Sequence, residues 1–208
     1  MEEKNMTIIH ILEELYPEAD CELQFNSIFQ LLISVVLSAQ TTDKRVNIVT
    51  TELFAIYPDL EAFLTLTEDD LQEYIRSIGM FRTKAKNIML LCKKLINDFN
   101  GIVPDNYEDL ISLPGVGRKT ANVVLSNAFS QQRIAVDTHV FRVSNRIGIV
   151  KEKDVLKTEI ALMKAIPEEL WSKTHHLLIW HGRRICHAKK PECDICKLNQ
   201  LCSYYVTR

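Results

Sequence analysis

Four cysteines stand within the last 23 residues, as Cys186, Cys193, Cys196 and Cys202 with the spacing C-x6-C-x2-C-x5-C. Thiolates at such spacing read as a metal centre when the chain has no export signal. Zinc and an iron–sulfur cluster both use four Cys ligands, and spacing does not decide between them. A second chemical group stands at Leu113-Pro114-Gly115-Val116-Gly117-Arg118-Lys119. Gly115 and Gly117 allow positive φ and close backbone approach, so N–H groups of a tight turn and of the next helix can converge on an anion. On a duplex that anion is a phosphate, read without regard to base. Lys119 falls in the first turn of the following helix, where a cation opposes the helix dipole. An ordinary lysine near 10.4 is neutral in only about 1 molecule in 2,500 at pH 7. Lowering it to about 8 would make roughly a tenth of it nucleophilic.

Asp137 lies 18 residues on, in Val136-Asp137-Thr138-His139. A helix of about 12 residues runs about 18 Å, and an extended connector of seven spans about 23 Å. Asp137 can thus return to the level of Lys119, and both can face one cleft. The same position also suits an N-cap for the next helix. His139, two residues on, reads equally as a pocket residue or a satisfied core histidine.

The elements that must carry these groups are helical. Apolar residues recur with helical spacing over Met6–Tyr16 and Phe25–Leu37, the second apolar enough to be a central helix. Thr42 caps a helix over Asp43–Ile56. Thr67 with Asp70 forms a capping-box pattern for a helix to Ile78. Thr83 opens one to Phe99, Asn106 a short one to Leu113, and Arg118–Phe129 follows the glycine turn. Asp137–Ile147, Asp154–Ala165 and Glu168–His181 complete the set. Two-residue alternation is nearly absent, with Arg133–Val136 only a short β-prone connector. The fold class expected is all-α.

Composition agrees. The 208 residues are 47% hydrophobic and 25% charged, which excludes disordered and collagen-like classes. The N-terminus lacks the basic and apolar segments of a signal peptide, and the longest apolar run is about half the roughly 20 residues of a membrane span. A soluble, intracellular protein is expected, and Cys21 and Cys92 read as small core thiols. The net charge of −2 conceals a segregation: residues 1–75 carry 3 Lys and Arg against 15 Asp and Glu, residues 76–208 carry 22 against 12. The basic part contains Arg82, Lys84, Lys86, Arg118, Lys119 and the run Arg183 to Lys190, which are expected to face a polyanion.

The chain resembles the endonuclease III family of the helix-hairpin-helix DNA glycosylase superfamily. The resemblance rests on Leu37-Ser38-Ala39-Gln40-Thr41-Thr42-Asp43, on Ile78-Gly79, on the hairpin from Leu113 to Val124, on Val136 to Val143 and on the four-Cys tail. It implies Lys119 as nucleophile, Asp137 as catalytic carboxylate, and a [4Fe–4S] cluster on the four cysteines. It implies a two-lobed fold, with a six-helix barrel over 22–132 that includes a helix-hairpin-helix at about 106–129. A cluster lobe of 1–21 plus 133–208 would carry the cluster loop 186–202. DNA contacts are expected from Gln40, Met80, Gly115, Val116, Gly117, Arg118, Lys189 and Lys190, with Ser38 and His139 near the pocket. Met80 stands at a wedge tip where the family pattern leads one to expect Leu. The implied activity is removal of oxidised pyrimidines from double-stranded DNA and β-elimination at the abasic site, by a monomer. The related adenine mismatch glycosylases lack a lysine at position 119. A non-catalytic hairpin module would need no Lys119–Asp137 pair, and an electron-transfer protein would need no hairpin.

Overall fold

The computed structural model describes residues 2–207, and every regular element among them is helical. The chain divides into two compact units, residues 22–130 and residues 1–21 with 131–208. Among the described residues, no helix is long and apolar enough to cross a membrane.

The unit of residues 22–130 is organised around α2 (Ile28–Ser38), whose residues from Phe29 to Leu37 are all buried. Its only polar interior residues are Gln30 and Ser34. Gln30 is satisfied at both ends: its amide donates to the Pro58 carbonyl at 2.9 Å, and its oxygen accepts from the Asn26 N–H at 2.8 Å. A helix buried all round cannot be amphipathic, so α3 (Asp43–Ile56), α6 (Phe81–Phe99) and α8 (Arg118–Phe129) supply the covering apolar faces. Two shorter helices, α4 (Leu60–Phe63) and α5 (Glu68–Tyr74), close onto α6, and α7 (Tyr107–Ser112) packs on α8. Helix α4 has too few residues to show a period. Asp59 caps it, and it delivers Phe63, fully buried, edge-on against Phe29 at 5.1 Å between ring centres.

Several boundaries differ from expectation: the first helix begins at Glu2 and not Met6, α2 begins at Ile28 and not Phe25, and the helix expected over Glu168–His181 is a short 3-10 turn followed by a helix over Trp171–Arg184. Two further differences have a visible cause. Helix α5 obeys its capping box but stops at Tyr74, short of Ile78. The chain tightens there into turns, with the Ile78 N–H on the Ile75 carbonyl at 2.8 Å, because this drives both Ile75 and Ile78 into the core. Helix α6 starts at Phe81, two residues before Thr83, since Met80 adopts a left-handed conformation and its carbonyl already receives the Lys84 N–H at 3.0 Å.

The second unit joins α1 (Glu2–Leu15) to α9 (Thr138–Ile147), α10 (Val155–Ala165), α11 (Trp171–Arg184), the cysteine tail and a last turn, α12 (Ser203–Val206). Ile8, Leu12, Val140, Val143, Leu177 and Leu178 form its core. The connector at residues 133–136 forms no regular element, and it buries Ile134, Ala135 and Val136. Helices α9 and α11 approach so closely that any side chain at Gly182 would crowd its neighbours. A Cβ there would lie 3.0 Å from His139 Nδ1 and from Val143 Cγ2, and 3.1 Å from Arg142 Nη2. Gly182→Ala should therefore destabilise this unit by about 1–3 kcal/mol through overpacking, read as a lower midpoint in denaturant unfolding.

Candidate functional site

The hairpin is formed by α7, the turn 113–117 and α8. Gly115 has φ +81°, and a Cβ on it would sit 3.1 Å from Asn87 Cβ on α6, so both conformation and space demand glycine. Gly117 differs: its φ of −104° suits any residue, and a Cβ would meet nothing within 4 Å. The open space in front of it lies at the start of α8, where no side chain caps the helix. The first amide to bond back along α8 is that of Ala121, onto the Gly117 carbonyl at 2.9 Å. The amides before it fall outside the helical ladder, beside the positive end of the dipole.

Arg118 and Lys119 are exposed at this end, and Arg118 stacks on the Tyr107 ring with its guanidinium 5.7 Å from the ring centre. Val116 is different. Its side chain is buried and its N–H is spent on the Leu113 carbonyl at 3.1 Å, so Val116 anchors the turn and offers an incoming anion neither side chain nor amide.

A second exposed group lies at the junction of α2 with α6. Gln40 and Met80 are both exposed and both left-handed, with φ 55° and 56°. Their loops abut, since a Cβ on Gly79 would lie 3.6 Å from the Gln40 carbonyl oxygen. Ser38 turns its hydroxyl back onto the Val35 carbonyl at 2.8 Å. Lys84 does not face solvent as its charge led one to expect. It is 4% exposed, and its ammonium donates to the carbonyls of Leu37 and Ala39 at 2.8 and 2.6 Å and to Thr41 Oγ1 at 3.3 Å. Burial lowers its pKa from the ordinary lysine value.

In the other unit, Asp137 is the N-cap of α9. Its Oδ1 accepts from the N–H groups of both His139 and Val140 at 2.8 Å. The cap reading of the sequence is therefore correct, and the bonds orient the carboxylate and leave Oδ2 out of the cap. His139 is half-buried, with Nδ1 3.1 Å from Arg142 Nη2.

The four cysteines carry no disulfide and line one pocket, together with Arg146, His181 and Tyr204 among others. The pocket holds about 330 Å³ of free space, including its open mouth. Burial first, and then the charges of Cys202, Cys186 and Cys193, push the Cys196 thiol up. A bound cation would favour the thiolate form that ligation requires. Among the described residues, no three His, Cys, Asp or Glu side chains converge on a single-ion site. Four thiols lining one pocket are a donor set for either a zinc ion or an iron–sulfur cluster. Cys92 is fully buried, its thiol pushed up to about 12, whereas Cys21 is only half-buried.

Sequence reasoning missed the arginines of α9. Arg142 Nε donates to the Cys186 carbonyl at 3.0 Å, and Arg146 donates to the carbonyls of His187 and Ala188 at 2.7 and 3.0 Å. These bonds hold the loop that presents Lys189 and Lys190, both exposed. Two arginines one helical turn apart were the available signal, but nothing in the sequence ties them to a loop 40 residues away.

Fold and hairpin together define a helix-hairpin-helix protein. Residues 33–168 match the family model described as HhH-GPD superfamily base excision DNA repair protein. The chain is 50% identical to endonuclease III of Haemophilus influenzae over 201 residues, covering 97% of this chain and 95% of that one. It is 45% identical to endonuclease III of Escherichia coli over 201 residues, with 97% and 95% covered. A solved structure of a trapped covalent endonuclease III–DNA intermediate superposes with a TM-score of 0.95 at 46% identity, covering 100% of this chain and 98% of that one. The chain belongs to the endonuclease III family.

One pH effect follows from His139. Burial chiefly, and the charges of Arg142 and Arg183, lower its pKa against the opposing pull of Asp137. The unfolded chain therefore takes up this proton before the folded one does. The stability from neutral His139 is complete above its ordinary value of 6.5 and is lost as pH falls through the lowered one. His139→Gln should flatten the decline of stability with acid below about 6.5, measured by denaturant titration at stepped pH.

Proposed function

We propose that this chain acts as a bifunctional DNA N-glycosylase and abasic-site lyase, with Lys119 as nucleophile and Asp137 as its catalytic carboxylate. The observation that carries this is the exposed Lys119 in the uncapped first turn of α8, directly after an anion-ready hairpin. Trapped covalent chemistry in a relative 46% identical supports it. The substrate is double-stranded DNA bearing an oxidised pyrimidine or an abasic site, met inside the cell.

Backbone amides of the hairpin at Gly115 and Gly117, with Arg118, Lys189 and Lys190, hold phosphates without reading sequence. The damaged nucleotide leaves the stack so that C1′ becomes accessible. Gln40 fills the vacated place and Met80 wedges the stack. Neutral Lys119 Nζ attacks C1′ as the bond to the base breaks and the base departs with the bonding electrons. The Asp137 carboxylate stabilises the positive charge that develops on the sugar, or takes the proton shed by the amine. Opening of the sugar ring yields a Schiff base, loss of a C2′ proton drives β-elimination, and the 3′ phosphate leaves. Its product is a nick on the 3′ side. Cys186, Cys193, Cys196 and Cys202 would hold a [4Fe–4S] cluster, which would cross-link the tail through four thiolates. Ser38 and His139 belong to the surroundings of the pocket.

Borohydride should trap a covalent complex between the full chain and abasic DNA. Lys119→Ala should abolish it, whereas Asp137→Asn should keep the fold and slow base removal by about 100-fold or more, the scale of losing a preorganised charge. Trapping by Lys119→Ala at the wild-type level would refute the nucleophile. Purified protein should contain about four iron and four sulfide and absorb near 400 nm, where one bound zinc and no colour would refute the cluster. Lys189→Ala/Lys190→Ala should weaken binding to damaged and undamaged duplex alike and lower the salt slope by about two.

A further inference from the structure

The clamp made by Lys84 has a function that its burial discloses. A buried ammonium is costly unless its donors are all placed. Here all three are, on Leu37 O, Ala39 O and Thr41 Oγ1. The first two acceptors are carbonyls at the end of α2, a helix with no basic residue in its last turn. Lys84 thus supplies, from another helix, the positive charge and the donors that a helix C-terminus lacks. Its acceptors straddle Gln40: Ala39 lies before it and Thr41 after it. Lys84 itself stands one helical turn after Met80, whose carbonyl receives its N–H at 3.0 Å. One ammonium therefore ties the left-handed Gln40 loop to the left-handed Met80 loop. Neither residue is glycine, so each backbone is held in a conformation it would leave if released.

We propose that Lys84 is a positioning residue for DNA intrusion, holding Gln40 and Met80 in fixed register so that both enter the duplex together. The inference rests on the reading of Gln40 as filler and Met80 as wedge. It explains why a lysine beside the wedge is turned inward and not toward phosphate.

The test uses the full chain and a duplex with 2-aminopurine beside a tetrahydrofuran abasic analogue, whose fluorescence rises when the neighbouring stack opens. Lys84→Met should retain cooperative thermal unfolding but lose that rise, and on a separate duplex bearing an oxidised pyrimidine single-turnover base removal should slow by about 10- to 100-fold, the scale of an ångström of misplacement. In a Gln40→Ala/Met80→Ala background the same substitution should cost almost nothing further, since it acts through those residues. Where Lys84→Met does not fold, Lys84→Gln carries the test, with the same loss of signal expected. A wild-type rise from the Lys84 variant, with Gln40→Ala and Met80→Ala both deficient, overturns the clamp and leaves the intruding pair standing. A full further loss in the double-variant background also overturns it. Wild-type behaviour of both Gln40→Ala and Met80→Ala removes the intruding pair, and the clamp's function with it.

Discussion

Every α-helix ends with backbone groups that its own ladder cannot satisfy, and this molecule places nearly all its chemistry at such ends. Gln40 follows the end of α2, Met80 precedes α6, Lys119 lies in the first turn of α8, Asp137 caps α9, and the cysteine loop leaves α11. Each end is resolved differently. The α2 terminus is satisfied by a buried ammonium, the α9 terminus by a carboxylate, and the cysteine loop after α11 by arginine donors from α9. The α8 terminus has no side-chain cap. The α6 start likewise has no side-chain cap, and the α8 start, with open space at Gly117, is the end that the proposed phosphate contact would use.

This division explains why charge count and charge placement diverge. A sum of −2 says nothing about a polyanionic partner, because the basic residues lie mostly after residue 75. Sequence position alone overstated the case, since Lys84 spends its charge on carbonyls, and Arg142 and Arg146 spend theirs on the loop bearing Lys189 and Lys190. A buried cation can serve DNA binding indirectly, by giving rigid shape to groups that make the contact.

The same economy governs rigidity. Left-handed non-glycine residues occur at five positions: Asn100 and Ser130 end α6 and α8, and Gln40, Met80 and Lys190 lie in segments proposed to meet DNA. Each of the last three is braced nearby by side chains from another helix or by the tight turns beside it. Preorganised loops of this kind give up little order when they meet a duplex, so more of the contact energy remains for extruding a nucleotide.

Much of this was legible in the chain itself. Helical period, the Thr67–Asp70 box, the glycine hairpin and the cysteine spacing are local signals, set by neighbours within a few residues, and the expected all-α class and the α8 bounds match the structure. Asp137 as a cap is local too. What required tertiary structure was every assignment that depends on a partner far along the chain. Lys84 reads as a surface cation until α2 is placed 45 residues away beneath its ammonium. Val116 reads as an anion ligand until its amide is spent on the turn, and Arg146 acquires meaning only against carbonyls about 41 residues on. Residue type and spacing determine which groups can do chemistry. Burial and long-range hydrogen bonding decide which of them remain available to do it, because a charge or donor satisfied inside the protein is no longer offered to a ligand.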